Sequence, residues 1–143
     1  MKADPYNLQR FVDAQDPVIE RVLEELAAGR KRTHWMWFVF PQVQGLGFSA
    51  TAQEFAIKSR AEAAAYAAHP ALGPRLTQCT QLAIDAGARH IEDIFGYPDD
   101  LKFRSSMTLF MACAPDNVLF AQAIDQYFQG KPDDRTLAIL ARM

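Results

Sequence analysis

Two segments of the chain carry side chains whose types and spacing could support chemistry. The first runs from Arg30 to Gln42 and holds a basic run, His34 and two tryptophans within eight residues. A tryptophan ring can stack on a planar ligand, arginine can bind a phosphate group, and histidine titrates near neutral pH. These properties make His34 a candidate catalytic acid or base, and Arg32, Trp37 and Gln42 candidate ligand contacts.

The same segment also has a purely structural interpretation. Trp35 and Trp37 could both lie in the hydrophobic core, because buried aromatic side chains are mainly a packing device. The basic run would then be a solvated corner, and His34 would pack on the end of a helix. The sequence leaves both interpretations open.

The second segment surrounds Lys102. Lys102 and Ser106 are four residues apart, as are Arg104 and Thr108, so each pair shares one face of a helix. Ser105 and Ser106 are adjacent inside an apolar helix, where serine is unfavourable and a buried hydroxyl needs a partner. This pattern predicts that Lys102, Arg104, Ser105 and Ser106 contact a ligand. The structural alternative is that each hydroxyl bonds the carbonyl oxygen one turn back.

Helices must position both segments. Asp16-Pro17 is a pattern typical of a helix start, and it is followed by apolar residues at the helical spacing i, i+3, i+4, i+7. Pro98-Asp99-Asp100 opens the most apolar helix, whose hydrophobic residues cover more than one face, as in a buried central helix. We therefore predict an all-α fold: a single domain over residues 1–143, with seven to eight short helices around a buried central helix at about residues 99–113.

The helix boundaries follow from local capping patterns. Thr51–Glu54 and Ser59–Glu62 both match the capping-box pattern, and Asp133 or Asp134 is expected to cap the last helix. Residues 33–41 are ambiguous, because their aromatic side chains favour a strand. No second strand is predicted that could pair with such a strand and satisfy the backbone polar groups of residues 33–41. We therefore predict a short buried helix there, capped by Thr33 and ended by Pro41.

Composition excludes several classes of function. The chain has 15 basic and 17 acidic residues and a net charge of −2, which argues against nucleic acid as its main partner. Cys79 and Cys113 have neither zinc spacing nor a CxxC arrangement, and the common phosphate-loop and dinucleotide motifs are missing. We expect no metal and no cofactor. A signal peptide and a membrane-length apolar run are also missing, so a cytoplasmic protein without membrane contact is expected.

Several motifs between residues 34 and 137 belong to a longer resemblance, which spans roughly residues 22 to 140. They are His34–Gln42, Gly45-Leu46-Gly47-x-Ser49, His69-Pro70-x-Leu72-Gly73-x-Arg75-Leu76, Phe95-Gly96-x-Pro98-Asp99-Asp100-x-Lys102, Ser105–Phe110 and Asp133-x-Arg135-Thr136-Leu137. Together they resemble a bacterial family of unknown function, some members of which carry an automatic calpastatin-like label. The resemblance implies a small all-helical cytosolic protein and brings no established activity. The label does not suit this chain, because a calpastatin-type inhibitor is a long disordered polypeptide, whereas half of these residues are hydrophobic.

The candidate residues predict that a small anionic or nucleotide-like ligand binds in a polar pocket, with catalysis left open. The alternative is a non-enzymatic protein-interaction module without a catalytic site, which would expose a large apolar patch. The sequence specifies neither the ligand nor the oligomeric state.

Overall fold

The computed structural model describes residues 3–143. That part of the chain is all-helical, as predicted. Its ten helices are α1 (Gln9–Gln15), α2 (Ile19–Ala27), α3 (Met36–Val39), α4 (Ala50–Glu54), α5 (Arg60–Ala68), α6 (Leu72–Ala86), α7 (Glu92–Phe95), α8 (Asp99–Cys113), α9 (Leu119–Phe128) and α10 (Asp134–Ala141). Seven of these helices have seven or more residues, in agreement with the predicted seven to eight, and α3, α4 and α7 have only four or five.

Helix α8 lies at the centre of the fold, as its apolar pattern predicts. It packs against α5, α7, α9 and α10. Its buried residues are Phe103 and the whole run from Ser105 to Phe110, so buried positions occur on several faces of the helix. The predicted bounds of 99–113 are those of the helix. Among the described helices, none combines the length and the apolarity that a membrane span requires.

Residues 36–39 form the predicted short helix, but the predicted cap is wrong. Trp35, rather than Thr33, is the N-cap residue of α3, and its side chain makes no capping hydrogen bond. The Thr33 hydroxyl instead donates to Glu25 Oε2 at 2.7 Å. The backbone N–H of Thr33 donates to the same carboxylate, at Oε1 and 3.0 Å, so Glu25 holds Thr33 in the segment that precedes the helix.

Capping also sets the start of α4. The Thr51–Glu54 capping box is not formed; Ser49 is the N-cap and accepts from the backbone N–H of Ala52 at 3.1 Å. Ser59 caps α5 as predicted, by accepting from the backbone N–H of Glu62 at 3.0 Å. The early start of α4 places Ser49 and Ala52 beside the cavity described next.

Candidate ligand-binding cavity

A cavity of about 480 Å³ lies between α8, the start of α10 and the segment that joins α3 to α4. This volume lies within the range of small-molecule sites. Five residues predicted from the sequence line it: Trp37, Gln42, Lys102, Arg104 and Ser105. The structure thus brings together side chains from the two segments that the sequence singled out.

The charged residues of the lining are mostly cationic. Lys102, Arg104 and Arg135 line the cavity, and Asp133 is the only carboxylate among its lining residues in the described chain. Asp133 Oδ2 accepts from the backbone N–H of Thr136 at 3.0 Å and from its hydroxyl, and so caps α10. The helix terminus therefore compensates this carboxylate, and positive charge prevails in the cavity.

Lys102 is held between an aromatic ring and a shared carboxylate. Its Nζ lies 5.2 Å from the centroid of the Trp37 ring and 3.5 Å from Asp99 Oδ1. The other Asp99 oxygen lies closer to Lys31 Nζ, at 2.9 Å. Because Asp99 serves two lysines, it compensates the charge of Lys102 only in part.

Arg104 is fixed through one of its three nitrogens. Its Nε donates to the backbone oxygen of Lys131 at 2.9 Å, and its guanidinium carbon lies 5.3 Å from the centroid of the Phe128 ring. Within residues 3–143, its two terminal nitrogens donate to no protein acceptor. These nitrogens are available to an anion, and the bond at Nε holds the guanidinium group in place.

Two of the polar residues inside α8 bond the carbonyl oxygen one turn back, as the structural alternative predicts. Ser105 Oγ lies 3.1 Å from the backbone oxygen of Leu101, and Thr108 Oγ1 donates to the backbone oxygen of Arg104 at 2.8 Å. Ser106 is fully buried, and its Oγ has no hydrogen-bond partner in the described part of the chain. Ser106 does not line the cavity.

His34 and Arg32 are also absent from the cavity lining. Both are exposed, and no described group hydrogen-bonds to the His34 ring. Their surroundings are set by Glu25, which accepts from the backbone N–H of Arg32 at 2.7 Å and from Trp35 Nε1 at 3.0 Å. Trp35 is 1% exposed and belongs to the core, as its structural interpretation predicts.

Glu25 is the buried carboxylate that anchors this segment. Burial acts to raise its pKa, but hydrogen bonds from the Thr33 hydroxyl, the backbone N–H groups of Arg32 and Thr33, and the Trp35 indole outweigh it. The pKa of Glu25 is therefore lowered to about 2. Its hydrogen bonds stabilise the connection between α2 and α3, and Glu25 does not line the cavity.

Other residues that line the cavity are not among those predicted from the sequence, and they include Asp133, Arg135, Phe48 and Leu101. Arg135 and Asp133 belong to the start of α10, where a capping function is sufficient to explain an aspartate. Phe48 is 76% exposed and Leu101 is 48% exposed, and both line the cavity. Phe48 directly follows the Gly45-Leu46-Gly47 turn and belongs to no helical pattern of apolar residues. An aromatic residue in such a position is the one sequence signal for an exposed contact at Phe48.

Other reactive groups are poorly placed for chemistry. Burial raises the pKa of the Cys79 thiol to about 12, and it also raises the pKa of the half-buried Cys113 thiol. Neither thiol is primed as a nucleophile, since the thiolate is the reactive form. In residues 3–143, no three His, Cys, Asp or Glu side chains come together as a metal ion would require.

Comparisons with known proteins place the chain in a family. It matches the family described as "Protein of unknown function (DUF1810)" over residues 5–140. It is also similar to the conserved hypothetical protein Rv1873 from Mycobacterium tuberculosis, whose crystal structure has a TM-score of 0.95 and 54% sequence identity, with 96% of this chain and 99% of that chain covered. No curated protein matches the chain. The chain therefore belongs to the DUF1810 family of helical proteins of unknown function.

Proposed function

We propose that this protein binds a small anionic, nucleotide-like ligand in the cavity between α8, α10 and the α3–α4 connection. The observation that carries the proposal is the convergence of Lys102, Arg104 and Arg135 on a cavity whose one lining carboxylate, Asp133, already caps a helix. Cations that lie close together repel one another. An anion bound among them relieves that repulsion.

Each lining residue has a distinct part in the proposal. Arg104 offers two free guanidinium nitrogens, and the planar guanidinium fork can bind two oxygens of a phosphate or carboxylate at once. Lys102 offers a compact point charge beside the Trp37 ring, and the Gln42 amide offers both a donor and an acceptor. Phe48 and Leu101 provide exposed apolar surface at the same cavity, against which a planar ring can pack. His34 has no part in the proposal, because it does not line the cavity.

Thermal-shift measurements with nucleoside mono- and diphosphates and with sugar phosphates test the proposal. A ligand present at 100 times its dissociation constant stabilises the fold by about 2.7 kcal/mol. We expect Lys102→Gln to weaken binding of the best probe about tenfold or more, since a charge-assisted hydrogen bond is lost. Lys58→Gln, at an exposed lysine outside the cavity, is the matched control. A panel that produces no shift, or equal binding by the Lys102 variant and wild type, contradicts the proposal.

A second candidate function is the non-enzymatic interaction module. The exposure of Phe48 and Leu101 at one cavity favours it, because aromatic residues such as Phe48 are enriched in protein interfaces. This candidate depends on the apolar residues and not on Lys102. Light scattering at increasing protein concentration separates the two: self-association that Phe48→Ala abolishes and Lys102→Gln leaves intact supports the module.

A further inference from the structure

A second, smaller cavity adjoins the first one. It has a volume of about 370 Å³ and is lined by Gln44, Gly45, Arg135, Ala138, Ile139 and Arg142. Arg135 lines both cavities. The two spaces therefore meet at one cationic side chain.

The walls of the second cavity come from α10 and from the loop before α4. Arg135 and Arg142 are seven residues apart, so they lie on one face of α10, about 10 Å apart along its axis. Ala138 lies between them and is small enough to leave the face open. The Gly45 backbone has φ +107 and lies next to α10. A Cβ atom at position 45 would lie 3.4 Å from Ile139 Cδ1 of that helix. A larger residue at position 45 would strain the loop and narrow the cavity.

The charge of the second cavity is uncompensated. Its lining contains two arginines and no carboxylate, and neither arginine forms an ion pair in the described part of the chain. Arg142 follows the last residue of α10, where a cation interacts favourably with the helix dipole. Arg135 lies in the first turn, where the dipole opposes a cation. Helix electrostatics account for Arg142 but not for Arg135.

We infer that the second cavity is a further anion subsite, continuous with the first, and that the ligand carries two anionic groups on separate atoms of its scaffold. One group binds Lys102 and Arg104 in the first cavity, and the other binds between Arg135 and Arg142. A bisphosphorylated nucleotide-like molecule has this chemistry. The inference rests on the proposed function, because it extends the same site.

Calorimetric titration with adenosine 5′-monophosphate and adenosine 3′,5′-bisphosphate, at one ionic strength, tests the inference. We expect wild type to bind the bisphosphate at least tenfold more tightly than the monophosphate. Arg142→Gln should reduce the ratio of bisphosphate to monophosphate affinity to near one and leave the monophosphate affinity unchanged. Arg135→Gln should weaken binding of both nucleotides. Arg89→Gln removes the same charge from an exposed site outside both cavities and should leave the ratio unchanged.

The outcomes separate the inference from the function on which it rests. Lys102-dependent binding of the monophosphate, with a ratio near one in wild type, overturns the second subsite and leaves the proposed function standing. The subsite is also overturned if Arg142→Gln and Arg89→Gln lower the ratio of bisphosphate to monophosphate affinity equally. That result would show only an effect of overall charge. Failure of both nucleotides to bind, or binding that is insensitive to Lys102→Gln, counts against both proposals. Melting temperatures of all variants verify that each one is folded.

Discussion

Lys102 Nζ lies 5.2 Å from the centroid of the Trp37 ring, so the two segments that the sequence singled out meet at this contact. Trp37 comes from α3 and Lys102 from the first turns of α8. Trp37 was expected to stack on the ligand, and Lys102 to hold an anion. In the structure the Lys102 ammonium group lies over the Trp37 ring. We therefore interpret Trp37 as a residue that positions Lys102 at the cavity.

The first prediction concerns this contact. Trp37→Leu should weaken monophosphate binding about two- to fivefold, because a cation–π contact between partly exposed side chains is worth about 0.5–1 kcal/mol. Trp37→Phe keeps an aromatic face and should bind nearly as tightly as wild type. Titration of the three proteins provides the measurement. If both substitutions abolish binding, Trp37 contacts the ligand directly and the positioning role is wrong.

The second prediction concerns Asp133, which caps α10 and lines the cavity. Asp133→Asn keeps a good capping side chain but removes the negative charge, so monophosphate affinity should rise about two- to fivefold. Asp133→Ala also loses the cap and should lower the free energy of unfolding by about 0.5–2 kcal/mol. Calorimetry and urea denaturation measure the two effects. Weaker binding by the Asn variant would show that the carboxylate itself contacts the ligand.

The third prediction concerns the pH dependence of stability. The pKa of Glu25 is lowered from 4.5 to about 2 in the folded protein. The carboxylate therefore contributes stability that is complete above pH 4.5 and is lost progressively as the pH falls towards 2. The shift corresponds to about 3 kcal/mol.

Urea denaturation of wild type and Glu25→Gln at several pH values measures this contribution. The difference in free energy of unfolding between the two proteins should be largest near neutral pH and should shrink below pH 4.5. Glu24→Gln, at the exposed neighbouring position, is the control and should show little difference at any pH. A difference for Glu25→Gln that stays constant down to about pH 2.5 would contradict the assigned pKa.

The fourth prediction concerns Ser106, whose buried hydroxyl lacks a partner in the described part of the chain. An unsatisfied buried polar group costs about 1–3 kcal/mol, so Ser106→Ala should leave the free energy of unfolding unchanged or raise it. Thr108 Oγ1 donates to Arg104 O at 2.8 Å and accepts from the backbone N–H of Asp133 at 2.9 Å. Thr108→Val should therefore be destabilising. A Ser106→Ala variant that loses more stability than Thr108→Val would reveal an unrecognised partner of Ser106.

The sequence predicts this fold well where local patterns determine it. The bounds of α8 follow from its apolar residues and from Pro98-Asp99-Asp100. The polar residues Lys102, Arg104 and Ser105 on its first turns line the cavity. His34 and Arg32 could not be placed in the same way. Their segment has no regular structure, and the hydrogen bonds of Glu25, a residue of the preceding helix, set its path. A contact of that kind depends on tertiary structure and leaves no periodic signal.

The cavity itself was predictable only in part, for a related reason. Lys102 and Arg104 stand out because charge is unusual inside an apolar helix. Arg135 does not stand out, because a charged residue at the start of a short surface helix is ordinary. Its importance comes from its position between two cavities, which only the packing of α10 against α8 and the Gly45 loop creates.

A crystal structure of the protein grown with adenosine 5′-monophosphate tests the central claim most directly. The proposal predicts that the phosphate group lies between Lys102 and Arg104, with phosphate oxygens within about 3.2 Å of Lys102 Nζ and of a terminal Arg104 nitrogen. The adenine ring should lie towards Phe48 and Leu101. A nucleotide bound elsewhere on the protein, or a cavity that holds only water at saturating nucleotide, would contradict the proposed function.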